Sequence, residues 1–265
     1  MKHLARFSIL TVSALFATAL QAHDFWIEPD AFSGPEGKDT QIILREGVDM
    51  QGDTLPFIPQ WFDDFSLHTP FGDDNIASMV GNDPAARIKL RAGTNLIGYQ
   101  STPKFVALEA EKFKQYLVDE GMDYIIERRQ ELGQQDEVAK EYFVRCAKSL
   151  LYGDADASDD IFSRQLGYTL ELVPQNDRES LNKTQKLIIR LQFKGEPLAQ
   201  HRIRAIPKST PDTPIDVITD DNGLAELPLA DTDTWLIKSV HMVEWQDDAK
   251  ADWISYWASL TIETG

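Results

Sequence analysis

The sequence predicts a mainly β protein, built from immunoglobulin-like or transthyretin-like sandwich domains with a short helical insertion. Short apolar segments alternate with Gly, Pro and Asp along much of the chain, which is typical of strands joined by turns. Residues 187–193 place apolar side chains at every second position, as a half-buried strand does. Only residues 108–152 carry apolar side chains at helical spacing.

The first 22 residues have the layout of a secretory leader. Lys2 and Arg6 give a basic start, residues 8–20 form a largely apolar run too short to span a bilayer, and Ala22 is the small residue that signal peptidase prefers. We therefore predict cleavage after Ala22, a periplasmic location and His23 as the first residue of the mature chain. Leu20 fits the cleavage site less well than Ala, so a start at Ala22 or earlier remains an alternative.

Residues 23–107 are expected to form an amino-terminal β domain, followed by a helical insertion over residues 108–152. The predicted strands of the first domain are centred on residues 25–27, 42–44, 88–90 and 95–99. In the insertion, Gly121 and Gly133 interrupt the helical pattern, which favours two or three short helices. The helical positions are Phe113, Tyr116, Leu117, Met122, Ile125, Ile126, Val138, Tyr142, Phe143 and Leu150.

Residues 153–265 are expected to form a carboxy-terminal immunoglobulin-like sandwich of antiparallel strands. An acidic connector, residues 153–160, opens it. The predicted strands cover residues 168–172, 187–193, 202–206, 224–229, 235–242 and 253–262. Asp220-Asp221-Asn222-Gly223 predicts a hairpin turn, because Asn-Gly supplies the positive φ values of a tight reversal.

Composition excludes several classes of function. The formal net charge is −17, and loss of Lys2 and Arg6 with the leader makes the mature chain more negative still. Such a chain repels nucleic acid and anionic membranes and attracts cations. Cys146 is the single cysteine; it precludes an intrachain disulfide and, inside a predicted helix without a nearby His, disfavours a blue-copper site. The GxSxG, phosphate-loop, CxxC and HExxH motifs are absent, so we expect a binding protein rather than an enzyme.

Four motifs resemble a family of exported bacterial proteins that carries a domain-of-unknown-function label and was formerly described as a periplasmic component of nickel or cobalt uptake. They are the start His23-Asp24-Phe25-Trp26-Ile27-Glu28-Pro29, the pattern within residues 140–148, the turn Gly195-Glu196-Pro197-Leu198-Ala199 and the ending within residues 240–261. The resemblance implies an exported, β-rich protein associated with transition metals, and it implies no particular reaction. Cys146 departs from the family pattern, which has an aromatic residue there.

A histidine at the amino terminus is a candidate metal ligand. A free α-amine has an ordinary pKa of about 7.7–8.0 and releases its proton readily to a metal. The amine and Nδ1 of His23 would close a six-membered chelate, and a second imidazole would complete a histidine brace, which favours Cu(II) with nickel or cobalt as alternatives. We expect His241 to supply that imidazole, ahead of His68 and His201. Asp24, Asp252 and Glu244 are candidates for further ligands.

The sequence leaves three function classes open. The first is a periplasmic metal-binding protein for uptake, delivery or buffering, whose partners are a metal ion and a membrane metal transporter or outer-membrane receptor. The second is a copper-dependent oxidase or oxygenase on the same brace. The third is a β-sandwich module for adhesion or assembly that binds no metal. None of the three requires nucleic acid or membrane insertion after processing.

Overall fold

A computed structural model describes residues 23–154, 159–229 and 232–265. The predicted leader, residues 1–22, and residues 155–158 of the acidic connector lie outside these ranges. Within the described residues the chain forms 18 strands and three α-helices. None of the helices in the described ranges is both long and apolar enough to cross a membrane.

The first half of the chain contains nine strands and two helices. The strands are β1 (Asp24–Pro29), β2 (Ser33–Gly34), β3 (Asp39–Val48), β4 (Gln51–Leu55), β5 (Phe62–Thr69), β6 (Gly72–Asn75), β7 (Ala86–Lys89), β8 (Gly93–Ser101) and β9 (Lys104–Leu108). The helices are α1 (Ala110–Asp119) and α2 (Asp123–Glu131).

The second half is again mostly strand. It contains β10 (Ala139–Gly153), β11 (Leu170–Pro174), α3 (Arg178–Thr184), β12 (Lys186–Phe193), β13 (Glu196–Pro197), β14 (Arg202–Pro207), β15 (Ile215–Ile218), β16 (Leu224–Pro228), β17 (Thr234–Glu244) and β18 (Trp253–Glu263). Short 3-10 helices occupy Pro59–Trp61 and Ile161–Ser163.

A ten-stranded central sheet joins the two halves. Its main path is β15-β14-β17-β18-β10-β8-β5-β6, and β2 and β9 also pair with β10. β10 and β18 are parallel, with Glu141 opposite Trp253, whereas β17 and β18 form a long antiparallel pair. The predicted domains 23–107 and 153–265 therefore contribute strands to one common sheet.

Two smaller sheets cover opposite faces of the central sheet. The amino-terminal sheet contains β1, β3, β4 and β7, and the carboxy-terminal sheet contains β11, β12, β13 and β16. On β10, Ala147 and Leu151 join the core under the amino-terminal sheet, whereas Leu150 joins the core under the carboxy-terminal sheet. Successive side chains of a strand point to opposite faces, so the layers form a sandwich. The mainly β class is confirmed.

The two helices after β9 pack on the face that the amino-terminal sheet also covers. Phe113 and Leu117 are four residues apart on α1 and therefore share one side of the helix. Together with Ile125 of α2 they form a core with Val240 and Met242 of β17. These two helices confirm the first part of the predicted insertion.

The rest of the predicted insertion is wrong, because residues 139–153 form strand β10. β10 lies inside the central sheet with apolar cores on both faces. A strand buried on both faces lacks a clear period of two, and its apolar positions imitated helical spacing. Cys146 therefore lies in a strand, where it is buried.

The turn at Asp220 is also different from the prediction, because it connects two sheets and does not close a hairpin. β15 pairs with β14 in the central sheet, and β16 pairs with β12 in the carboxy-terminal sheet. The Asp220 carboxylate accepts hydrogen bonds from the backbone N–H groups of Asn222 and Leu224. Gly223 also accepts from the N–H of Leu191 on β12, which directs the chain into the second sheet.

Candidate functional site

His23 lies at the edge of a surface depression of about 650 Å³. It directly precedes β1, which pairs with β3 so that Asp24 lies opposite Gly47. The His23 side chain is 37% exposed, and its Nδ1 is 3.9 Å from Oε1 of Glu46. Carboxylates dominate the polar lining of the depression, and those besides Glu46 are Asp49, Asp53 and Asp212.

The β3–β4 hairpin positions most of these carboxylates. Its two turn residues, Asp49 and Met50, have φ values of 52° and 57°, as a type I′ turn requires. Gly47 and Gly52 lie opposite each other. A Cβ on Gly47 would overlap the carbonyl oxygen of Gln51, and one on Gly52 that of Glu46, so the two strands approach closely only with glycine at this pair.

Met50 anchors the tip of this hairpin. The side chain is buried in a core with Trp26 of β1, Ile206 of β14 and Leu236 of β17. Burial of a side chain of this size contributes about 1.5–3 kcal/mol. The buried Met50 side chain therefore holds the hairpin, and with it the neighbouring carboxylates, in a defined position.

The depression has an excess of negative charge. Glu46 is ion-paired with Arg145 of β10, which partly neutralises it. Among the described residues, Asp49, Asp53 and Asp212 form no ion pair. Because these carboxylates outnumber the basic side chains paired with them, the depression favours a positively charged ligand.

Asp24 is adjacent to His23 in sequence but is engaged elsewhere. Its buried carboxylate is 2.5 Å from Nζ of Lys238, and Glu120 lies 2.8 Å from the same ammonium. Burial raises the pKa of Asp24 against the opposing effect of Lys238. Asp24 thus fastens β1 to β17 rather than facing the depression.

The other two predicted carboxylate ligands lie away from His23. Asp252 precedes β18 and accepts a weak hydrogen bond of 3.4 Å from the N–H of Lys140. Glu244 ends β17 and is ion-paired with Arg128 of α2 at 2.6 Å. Asp252 thus contacts β10, and Glu244 contacts α2.

His241 belongs to an aromatic cluster on β17. Its ring centroid is 5.1 Å from that of His201 and 4.6 Å from that of Phe193, and its Nδ1 is 3.1 Å from the Tyr124 hydroxyl. Burial lowers the pKa of His241 to about 4, with His201 and Lys194 adding to the shift. His201 is buried, and its Nε2 is 2.8 Å from the carbonyl oxygen of Val240.

The structure does not bring His23 and His241 together. Lys238 points to the face of the central sheet that β1 covers, because it contacts Asp24. His241 follows three residues later in a regular strand, so it points to the opposite face, where it meets Phe193 of β12. His23 and His241 therefore lie in two separate environments, too far apart in the fold to form the expected brace.

His68, the remaining candidate, lies on β5. Its Nδ1 is 3.1 Å from Asp73, and its Nε2 is 2.9 Å from the Ser66 hydroxyl. Across residues 23–154, 159–229 and 232–265, no group of three or more His, Cys, Asp or Glu side chains could hold a metal ion.

The described residues form a mainly β sandwich with three short helices beside its sheets, and the candidate site is the acidic depression at His23. Residues 20–243 match the family described as a domain of unknown function, DUF4198. The chain belongs to this family. No curated protein and no solved structure matches it.

Proposed function

We propose that the mature chain is an exported protein that binds one transition-metal ion at His23, copper first and nickel or cobalt second. The observation that carries this proposal is the position of His23, partly exposed at the edge of a depression lined by carboxylates. The layout of residues 1–22 supports export to the periplasm. Uptake, delivery or buffering of the metal, with a membrane transporter or outer-membrane receptor as partner, is the corresponding role.

The donors near His23 fit Cu(II). Cleavage after Ala22 would turn the His23 amide nitrogen into an amine, so the amine and Nδ1 would provide two nitrogen donors from one residue. One carboxylate of the hairpin, Asp49 or Asp53, would offer an oxygen donor. A tetragonal set of nitrogen and oxygen ligands is typical of Cu(II) or Ni(II).

The amine is the decisive donor in this proposal. The described side chains alone do not form a group that could hold a metal, so the uncleaved precursor should bind metal poorly. His241 is not a ligand here, since it faces the other side of the central sheet. Oxygen donors therefore take the place that a second imidazole has in a histidine brace.

The test combines processing with metal titration. Protein exported with its own leader should begin at His23 by intact mass and bind one Cu(II) per chain. Electron paramagnetic resonance should show two nitrogen donors. A variant with Met inserted before His23 should bind at least about tenfold more weakly, because the amine leaves chelate range, and Asp49→Asn with Asp53→Asn should also weaken binding.

His241→Ala is the matched control, because it removes an imidazole outside the depression. It should leave Cu(II) affinity unchanged. Equal affinities for the processed and Met-extended proteins would refute the proposal, as would a mature chain that begins upstream of His23.

A further inference from the structure

A series of close polar contacts, one hydrogen bond and one ion-pair contact, crosses the β5–β6 hairpin. Ser66 and His68 are two residues apart on β5 and therefore share a face. Asp73 lies directly opposite His68 in the hairpin register. The Ser66 hydroxyl is 2.9 Å from Nε2 of His68, and Nδ1 of His68 is 3.1 Å from Oδ1 of Asp73. A hydroxyl, an imidazole and a carboxylate are thus connected in series.

Two contacts hold the carboxylate end of this series in place. The hairpin turn is closed by the Thr69 hydroxyl, which donates to the carbonyl oxygen of Gly72 at 2.9 Å. Gly72 has a φ of 137°, a conformation that side chains disfavour. Arg164 donates to both oxygens of Asp73 at 2.7 and 2.6 Å, a bidentate geometry that fixes the carboxylate plane.

The hydroxyl end faces a surface depression of about 490 Å³. Ser66 and His68 line it, on the face of β5 opposite to the one where Phe65 and Leu67 contact the core under the amino-terminal sheet. The Ser66 hydroxyl also donates to the Asp64 carboxylate at 2.8 Å, which accepts a second hydrogen bond from the Tyr168 hydroxyl. Rotation of the serine hydroxyl would turn its proton from Asp64 towards His68 Nε2, 2.9 Å away. Ser66 is 5% exposed, and the depression that it lines is the side from which a small molecule would approach its oxygen.

We propose that Ser66 is the nucleophile of an esterase site, with His68 as its general base and Asp73 as a positioning residue. A serine hydroxyl is a weak nucleophile that an adjacent base activates, and a third group orients that base. The three residues meet both distance requirements. This activity is independent of metal binding at His23, since the two depressions share no lining residue.

The reaction would take place in two steps. In the first, Ser66 Oγ bonds to the acyl carbon of a carboxylic ester while its proton moves to His68 Nε2. The bond from the acyl carbon to the alcohol oxygen breaks, and that oxygen takes the proton from His68. In the second, water bonds to the acyl carbon and gives a proton to His68. The bond to Ser66 Oγ then breaks, the serine recovers the proton, and a carboxylic acid leaves.

The charge of the depression defines the substrate class. Four aspartates line it, Asp63, Asp64, Asp73 and Asp74, against one arginine that is already paired with Asp73. Anionic acyl groups would be repelled at close range. The site would therefore prefer esters whose acyl group is small and uncharged or cationic.

A fluorophosphonate probe tests the nucleophile directly, because it bonds covalently to an activated serine hydroxyl. Processed protein in a chelating buffer should gain the mass of one probe, with the label at Ser66 by peptide mapping. Ser66→Ala should not be labelled, and His68→Ala should be labelled at least about 100-fold more slowly. The same two variants should lose hydrolysis of p-nitrophenyl acetate to a similar degree.

Ser209→Ala is the matched control, since Ser209 also contacts a carboxylate, Asp233, but has no imidazole beside it among the described contacts. It should retain full labelling. Asp73→Asn should slow labelling, because an amide cannot stabilise the imidazolium that forms when His68 takes the serine proton, and Asp73→Glu should restore part of the rate. Absence of label in the unchanged protein, or equal labelling of Ser66→Ala, would overturn the esterase site. The chelator makes either result independent of the metal proposal.

Discussion

The buried carboxyl of Glu141 makes the free energy of unfolding depend on pH. This glutamate lies on β10 under α1 and is 2% exposed. Its carboxyl accepts hydrogen bonds from the hydroxyl groups of Tyr116 and Ser255, and no cation is paired with it among the described contacts. Burial raises the pKa of Glu141 to about 7, although both hydrogen bonds oppose the shift.

The sign of the effect follows from proton binding. The ordinary pKa is 4.5, so between about pH 4.5 and 7 the folded state holds a proton that the unfolded state has released. Stability from this group is present below pH 4.5 and is lost as the pH rises to about 7. A shift of this size corresponds to about 3 kcal/mol once the pH exceeds 7.

Glu141→Gln should remove this dependence, because glutamine is nearly the same shape and stays neutral. We expect the variant to match the unchanged protein within about 1 kcal/mol at pH 5 and to be about 3 kcal/mol more stable at pH 8. The difference in melting temperature at pH 8 should be about 6–12 °C. Urea unfolding followed by tryptophan fluorescence at both pH values measures it.

Glu36→Gln is the matched control, because Glu36 is exposed and its carboxylate remains in water. Its stability relative to the unchanged protein should not vary between pH 5 and 8. If Glu141→Gln showed the same flat profile, or were less stable than the unchanged protein at pH 8, burial of an unpaired carboxyl would not explain the behaviour of Glu141.

Three further substitutions have defined outcomes in urea unfolding at neutral pH. Lys148→Met should cost about 3–5 kcal/mol, because it leaves the carboxylate of Glu171 buried without the cation now 2.9 Å away; a loss below 1 kcal/mol would contradict this. Met50→Ala should cost about 2–5 kcal/mol and also weaken Cu(II) binding, since Met50 anchors the hairpin tip; unchanged affinity would separate the hairpin from the metal site. Asp177→Ala should cost about 1 kcal/mol, because the carboxylate accepts from the N–H of Ser180 at the start of α3; no change would mean that water replaces the cap.

The sequence predicted those strands that have one apolar face. Residues 187–193 alternate clearly, and the structure forms β12 over Lys186–Phe193. The long strands near the carboxy terminus also lie within a few residues of their expected positions. Alternation is a local property, so it was readable without knowledge of the partner strand.

β10 could not be recognised in this way, because its environment depends on strands far along the chain. It pairs with β18 on one side and with β8 and β9 on the other. With a core on each face, its sequence need not alternate, and no local signal separates it from a helix. The same strand joins the two expected domains into one sheet.

The carboxylates of the candidate metal site were missed for a related reason. Asp49 is a turn residue and Asp53 is an exposed residue of β4, and sequence patterns assign polar residues of both kinds to solvent. Their approach to His23 depends on the register of β1 with β3 and on the Gly47–Gly52 pair. The sequence Gly47-Val48-Asp49-Met50-Gln51-Gly52 does carry a signal, since two glycines flank a possible two-residue turn.

The predicted pairing of His23 with His241 is wrong because the two side chains lie on opposite faces of the central sheet. Part of this geometry could be derived from the sequence. The sequence predicts β17 as a strand. Lys238 and His241 are three positions apart on it, so their side chains must point to opposite faces of the sheet. What the sequence did not reveal was which side β1 would cover. The ion pair of Asp24 with Lys238 and the core that Trp26 shares with Leu236 show that β1 covers the side of Lys238. Once these contacts are known, a ligand for His23 from β17 would have to come from the face that Lys238 occupies. That side of β17 is filled by Leu236 and Val240 in apolar cores, which leaves the β3–β4 hairpin as the nearest source of donors.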